Sequence, residues 1–275
     1  MATIRRAMDD ETLVRLTEQS ANAGGAVAQT AFRTSLDVTT KDGKTDFVTE
    51  TDRNAQAAVT DCIHEQFPDD PIYGEEDRTL SELPETGRVW IIDPIDGTNN
   101  YIRGNPCWVT SVACVVDGEP VAAANVMPAV GDRYVATPDG VTRNGVRVSV
   151  SKRTDPDLFD VAPIIWWSRE RREEYAAATR VIVTQFGDLR RFGSAQFALS
   201  LVAAGGIDGV ITNVETKAWD TVAGVAMIRW AGGTVTDLNG NPWRHDSRGL
   251  VASNGTQHDR FVEATEAIET VREKQ

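Results

Sequence analysis

The stretch Trp90-Ile91-Ile92-Asp93-Pro94-Ile95-Asp96-Gly97-Thr98-Asn99-Asn100 decides how this chain is read. With Val89 its first half forms a continuous apolar run ending in an acid, the pattern of a strand buried on both faces. Pro94 stiffens the turn, and a second acid follows three residues after the first. Both carboxylates can then converge on one point, with the Ile95 carbonyl between them. Hard oxygen donors in such a cluster suit Mg2+, which binds through a few carboxylates and keeps places for water and substrate phosphate. Gly97 and Thr98 open what reads as a helix, whose first amides form a natural phosphate seat. Alone, an Asp-Pro-x-Asp-Gly segment is usually a turn, so its neighbours matter.

Upstream, residues 3–33 carry an approximate helical stripe (Ile4, Met8, Leu13, Leu16) that Gly24-Gly25 is expected to break. Residues 46–49 form a short strand candidate. Thr49-Glu50-Thr51-Asp52 matches a helix start, with Ala55, Val59, Ile63 and Phe67 recurring behind it. Downstream, residues 108–150 alternate β-rich runs with turn signals at Asp117-Gly118, Gly131-Asp132, Asp139-Gly140 and Asn144-Gly145, which predicts an antiparallel meander. Beyond 150 the pattern predicts a strand at 158–166, a charged helix at 169–180 and a strand near 181–186. It continues with a helix from Ser194 to Ala204, a strand at 207–211, a helix at 219–231, strands at 234–237 and 249–252, and a final helix from about Gln257. The expected fold class is α/β, an α+β half over 1–150 followed by an α/β half over 151–275, packed as one rigid body.

Composition narrows the function. The 275 residues carry 41 acidic and 28 basic side chains, a formal net charge of −13. No basic stripe exists for nucleic acid to follow. No stretch of about 18 apolar residues predicts a membrane span, and MATIRRAMDDETLVRL turns acidic where a signal peptide would be apolar. Three cysteines (Cys62, Cys107, Cys114) make no disulfide framework and read as reduced thiols, so the expected location is cytoplasmic. Five of the 28 cationic residues are lysine and the rest arginine, a balance shared by proteins of saline cytoplasms and of GC-rich genomes.

Two further acidic elements stand in order around the central stretch: Tyr73-Gly74-Glu75-Glu76-Asp77 and Trp219-Asp220. Each has a bland reading, a solvated acidic turn and a helix cap respectively. Their conjunction with Asp93–Thr98 is what carries meaning. Gly74-Glu75-Glu76, Asp93-Pro94-Ile95-Asp96-Gly97-Thr98-Asn99 and Trp219-Asp220-Thr221-Val222-Ala223-Gly224 resemble the three signature motifs of the inositol monophosphatase family, part of the lithium-sensitive, Mg2+-dependent phosphatase superfamily. The likeness extends to Val48–Asp52, to Arg191-Phe192-Gly193-Ser194-Ala195 and to Ala231-Gly232-Gly233, and covers roughly residues 5–265.

The resemblance implies a layered αβαβα sugar-phosphatase architecture and two or three Mg2+ per active site. It implies that Glu75, Asp93 and the Ile95 carbonyl hold one ion and that Asp93, Asp96 and Asp220 hold another, with Asp93 bridging. Glu75 also orients the attacking water, and Thr98, hydrogen-bonded to Asp52, polarises it. The Gly97 and Thr98 amides bind phosphate, Lys41 (or its rival Lys44) closes the site from a loop, and Gly193, Ser194 and Ala195 contact the alcohol half of the substrate. Metal-activated water needs no side-chain nucleophile, which suits a chain whose His64, His245 and His258 have no ligand-spaced neighbours.

One position departs from the family. Seven residues before Asp220, an acid that binds substrate hydroxyls is replaced by Asn213, which both donates and accepts. The implied substrate is therefore a small sugar or polyol phosphate, inositol 1-phosphate or fructose 1,6-bisphosphate, the pair handled together by an archaeal class of relatives. Histidinol-phosphate and 3′-nucleotide phosphatases are alternatives among enzymes, and a non-catalytic regulatory binding protein is the alternative of another class. The resemblance also implies a homodimer, with no nucleic-acid or membrane partner. Trp166-Trp167 reads as an aromatic platform or as packing; Arg190-Arg191 as a contact to a second phosphate or as a structural ion pair.

Overall fold

Helix α1 (Ala2–Ala31) leads through a two-stranded ribbon, β1 (Val38–Thr40) and β2 (Phe47–Thr49), into helix α2 (Glu50–His64). Seven strands then lie side by side in chain order: β3 (Ile72–Gly74), β4 (Arg88–Asp96), β5 (Val109–Val116), β6 (Glu119–Met127), β7 (Asp132–Thr137), β8 (Gly140–Arg143) and β9 (Val146–Val148). Only β3 runs parallel to its neighbour, and the short helix α3 (Thr98–Ile102) interrupts the chain between β4 and β5. The computed structural model describes residues 2–35, 38–40, 47–76, 80 and 82–274.

The second half holds β10 (Asp160–Pro163), α4 (Arg172–Gln185), β11 (Asp188–Leu189), α5 (Ala195–Ala203), β12 (Gly209–Glu215), α6 (Ala218–Trp230), β13 (Thr234–Thr236), β14 (Arg248–Ser253) and α7 (His258–Arg272). Its sheet has the order β11-β10-β12-β14-β13, parallel on the β10 side and antiparallel around β14. Helices α1 and α2 cover one face of the seven-stranded sheet, α5 and α6 fill the space between the sheets, and α4 and α7 cover the far face of the second. The result is the expected five-layered αβαβα stack. Alternation along β4 shows why. Trp90 and Ile92 face α1 and α2, while Val89 and Ile91 join the core shared with α5 and α6.

Two sequence expectations fail for packing reasons. Helix α1 is not broken at Gly24-Gly25 but runs on to Ala31. A Cβ on Gly24 would stand 2.6 Å from Val59 Cγ2, and one on Gly25 3.2 Å from Val126 Cγ1, so these glycines permit close approach to α2 and β6. The strand expected near 181–186 is the last part of α4. Its β-branched run Val181-Ile182-Val183 suggests β structure, yet Val181 and Ile182 bury one helical face in the cluster that holds Phe261 and Ile268 of α7. The strand proper is the two-residue β11.

Candidate active site

Position 93 shares the face of Val89 and Ile91, so the Asp93 side chain points into the layer of α5 and α6. The register of β4 against β5 shifts between Asp93 and Asp96, an irregularity that brings both acids to the same end of the strand. Asp93 Oδ1 accepts from the Ile95 amide at 3.1 Å, and the Pro94 carbonyl accepts from Thr110 Oγ1 at 2.8 Å, so the turn is held from both sides. Gly97 then adopts φ +95°. A Cβ there would lie 2.9 Å from the Cys107 carbonyl and 3.0 Å from Ser194 Cβ, so both conformation and space demand glycine.

Glu75 follows β3, with its amide donating to the Ile92 carbonyl at 3.1 Å. Gln56 of α2 fixes that turn, since its Oε1 accepts from the Glu76 amide at 2.9 Å and leaves no room for a Cβ on Gly74. Asp220 is the third residue of α6, whose entry is steadied by Trp219 packing on Tyr73 with ring centroids 5.2 Å apart. Three chain-distant elements thus deliver carboxylates to one place. Oxygens of Asp93, Asp96 and Asp220 lie within 4.8 Å of one another, and Glu75 stands against Asp93.

The electrostatics of this floor are costly. At such distances each pair of carboxylates repels by roughly 3–4 kcal/mol in a protein-like dielectric. Burial first, then the charges of Glu75, Asp96 and Asp220, pushes the Asp93 carboxyl well above its usual range. Burial, then Asp96 and Glu75, does the same to Asp220. Asp96 rises to about 6 through burial, although three donors oppose the rise: the Ser194 hydroxyl at 2.5 Å and the Gln196 amide at 2.6 Å on Oδ2, and the Ala195 amide at 3.3 Å on Oδ1. An all-oxygen set whose members repel one another is what a hard divalent cation would neutralise, so these residues fit Mg2+.

These acids floor a cleft of about 820 Å³. Glu75, Asp93, Ile95, Asp96, Gly97, Thr98, Gly193, Ser194, Ala195 and Asp220 all line it. Two of the expected substrate contacts are already engaged: the Ser194 hydroxyl and the Ala195 amide donate to Asp96. The Thr98 hydroxyl donates to the Ile95 carbonyl at 3.1 Å rather than to Asp52. Asp52 is fully buried and closes the start of α2, its Oδ2 accepting from the Thr49 amide and hydroxyl at 2.8 and 2.6 Å. Lys41 and Lys44 lie outside the described residues.

Asn213 is not in the cleft. By the alternation of β12 it shares the face of Ile211, which packs in the α4 and α7 layer. Its Oδ1 accepts from Trp167 Nε1 at 2.8 Å, and its Nδ2 donates to Glu174 at 2.6 Å and Glu269 at 2.8 Å. Asn213→Asp would set a third carboxylate against two others, in a place where Glu174 is only 2% exposed. A loss of about 2–4 kcal/mol is expected, seen as a lower melting temperature with KM unchanged at permissive temperature. A changed KM at unaltered stability would return position 213 to the substrate.

The remaining cleft wall was mostly invisible to motif reading. Arg103, Arg172 and Arg191 line it with Trp166 and Tyr175. Arg172 lies 4.6 Å over the Trp166 ring, and Trp166 is 47% exposed. Among the described residues none of the three arginines pairs with a carboxylate, whereas neighbouring Arg171 and Arg190 do. The signal for Arg191 was its place before Gly193-Ser194; Arg103 and Arg172 carried none.

A carboxylate floor, amides at the start of α3 and a basic far wall define a metal-dependent phosphatase. Known proteins make the assignment particular. The model described as the inositol monophosphatase family matches residues 9–270. A Thermotoga maritima fructose-1,6-bisphosphatase/inositol-1-monophosphatase is 34% identical over 231 residues, covering 83% of this chain and 86% of that one. The Escherichia coli Nus factor SuhB is 32% identical over 214 residues, covering 77% and 79% respectively. The solved structure of a Thermotoga maritima IMPase superposes with a TM-score of 0.84 at 29% identity, covering all of both chains. The chain belongs to the inositol monophosphatase family. It is a phosphoric monoester hydrolase acting on sugar phosphates, of a family that depends on magnesium.

Proposed function

We propose that the enzyme hydrolyses inositol 1-phosphate, fructose 1,6-bisphosphate or both. The observation that carries this reading is the convergence of Asp93, Asp96 and Asp220 within 4.8 Å at the floor of a cleft whose opposite wall is basic. Glu75, Asp93 and the Ile95 carbonyl would hold one Mg2+, and Asp93, Asp96 and Asp220 a second; a third would complete the upper count. Bound there, magnesium supplies Lewis-acid polarisation and the positive charge that four carboxylates lack. Glu75 orients the attacking water. The Gly97 and Thr98 amides seat the phosphate, and the Thr98 hydroxyl and Ile95 carbonyl keep that loop in one conformation. Gly193 faces the alcohol half, while Ser194 and Ala195 act through Asp96. Asp52 fixes the α2 start behind the site.

Arg103, Arg172 and Arg191, which pair with no carboxylate among the described residues, favour a substrate with a second anionic group. Arg191→Gln should lower kcat/KM for fructose 1,6-bisphosphate about tenfold, the value of one charge-assisted hydrogen bond, and affect inositol 1-phosphate less. Equal losses on both substrates would remove Arg191 from the specificity wall.

The deciding experiment is phosphate release across inositol, fructose, histidinol and 3′-nucleotide phosphates, with Mg2+ and with chelator. Release from none of them would favour a regulatory binding role instead. Likeness to the family further supports a homodimer in the cytoplasm. The acid-rich, lysine-poor composition supports work in concentrated salt, where screening shortens to about 3 Å at 1 M. Among the described residues no helix is long and apolar enough to cross a membrane.

A further inference from the structure

Asp96 and Asp220 come from different elements, the end of β4 and the first turn of α6, and bring carboxylate oxygens within 4.8 Å of one another across the floor of the cleft. Something must hold them in register before a cation arrives. Asp96 is gripped by the first turn of α5, through the Ser194 hydroxyl and the amides of Ala195 and Gln196. The grip on α6 comes from the same residue. Gln196 is fully buried, and its Nε2 donates to the Trp219 carbonyl at 2.9 Å, on the peptide that leads into Asp220. Its Oε1 accepts from the Gly224 amide at 2.9 Å and from Asn125 Nδ2 of β6 at 3.0 Å. A Cβ at position 224 would stand 2.4 Å from Leu199 Cβ and 2.9 Å from Gln196 Oε1, so Gly224 lets α5 and α6 approach closely enough for this contact.

We propose that Gln196 is a positioning residue for the cation site, a cross-brace whose backbone holds Asp96 while its side chain holds the helix that carries Asp220. It touches neither cation nor substrate and acts through the spacing of the two carboxylates. A side-chain amide suits the task because it donates to a carbonyl on one side and accepts from amides on the other. Outer hydrogen-bonding partners of metal ligands commonly set affinity by about 10- to 100-fold.

The inference rests on the Mg2+ reading, and the test separates the two. Titrating Mg2+ into the full-length protein by calorimetry should show binding to the parent chain; no binding there would overturn the metal reading and the brace together. Gln196→Met keeps the volume and removes both hydrogen-bonding functions, and should weaken Mg2+ binding at least tenfold. The Mg2+-induced rise in melting temperature should shrink in step. At saturating Mg2+ the variant should recover most of kcat, with KM for substrate little changed. Asn125→Leu cuts the Oε1 bond to β6 but leaves the links to Trp219 and Gly224, and should lower stability without weakening Mg2+ binding. Should Gln196→Met not fold, Gln196→Asn decides, since its amide stays polar but is one methylene too short to reach Trp219. Mg2+ affinity within twofold of the parent in whichever Gln196 variant folds would overturn the proposal. So would an equal loss of affinity in Asn125→Leu.

Discussion

Asp93→Asn is expected to lower Mg2+-dependent phosphate release by at least about 1,000-fold while raising the melting temperature of the metal-free protein. The two effects have one cause. Asp93 is 1% exposed and faces Glu75, Asp96 and Asp220, so its charge is the most opposed in the molecule's acidic floor. The amide keeps the side-chain oxygen that accepts from the Ile95 amide at 3.1 Å, and the turn therefore survives. Without the charge, the cluster loses the ligand proposed to be shared between the cations and also a carboxylate opposed by three others. Phosphate assays with and without chelator, beside melts in chelator, give both readings. Activity above about a tenth of the parent would sink the assignment of Asp93 as the shared ligand.

A second large effect concerns pH. Asp96 titrates near 6 in the folded protein, and Asp93 and Asp220 are also raised from 3.8. The folded metal-free state therefore holds protons that the unfolded chain has already released. Stability of that state must fall as pH rises from about 4 through 6 and onward, at up to about 1.4 kcal/mol per pH unit for each proton. Cations replace those protons, so the stabilisation by saturating Mg2+ should grow between pH 5 and 8. Glu174, lowered by Arg171, acts with the opposite sign, but only below its own usual range near 4.5. Differential scanning calorimetry at pH 5.0, 6.5 and 8.0, with and without Mg2+, checks the trend. An Mg2+ increment independent of pH would contradict the shared-proton picture.

What the sequence disclosed follows from where each signal is stored. The Asp93–Gly97 part of the floor was legible because local geometry makes it: a strand ending in Asp93, a stiff turn, Asp96, and a glycine at φ +95°, whereas Glu75 and Asp220 were joined to it only by the family resemblance. Burial of β4 on both faces was legible in its unbroken apolar run, while the five-layered order came from the family resemblance. The wall was less so: Trp166 and Arg191 stood out only with alternative readings, and Arg103 joins Trp166, Arg172 and Arg191 only after separate segments have packed. Asn213 misled for a related reason. Its distance from Asp220 along the chain says nothing about strand parity, and parity turns it toward Glu174 and Glu269, behind the wall and away from the cation floor. Gln196 gave no motif signal either. An amide inside an apolar helix looks like a flaw until its three partners on α6 and β6 are in view.

The middle layer has a consequence for how the protein is made. The seven-stranded sheet is complete once Val148 has been synthesised, yet the helices that cover its inner face end only at Trp230. At ribosomal speeds of about 5–20 residues per second, that inner face stays bare for roughly 4–16 s. During this interval Val89, Ile91, Ala113, Val115 and Ala123 present an apolar sheet to whatever is near. The nascent chain is thus expected to pass through a sticky stage, in which residues 1–148 already carry 24 acidic against 13 basic side chains, a like-charge surplus that opposes contact between copies.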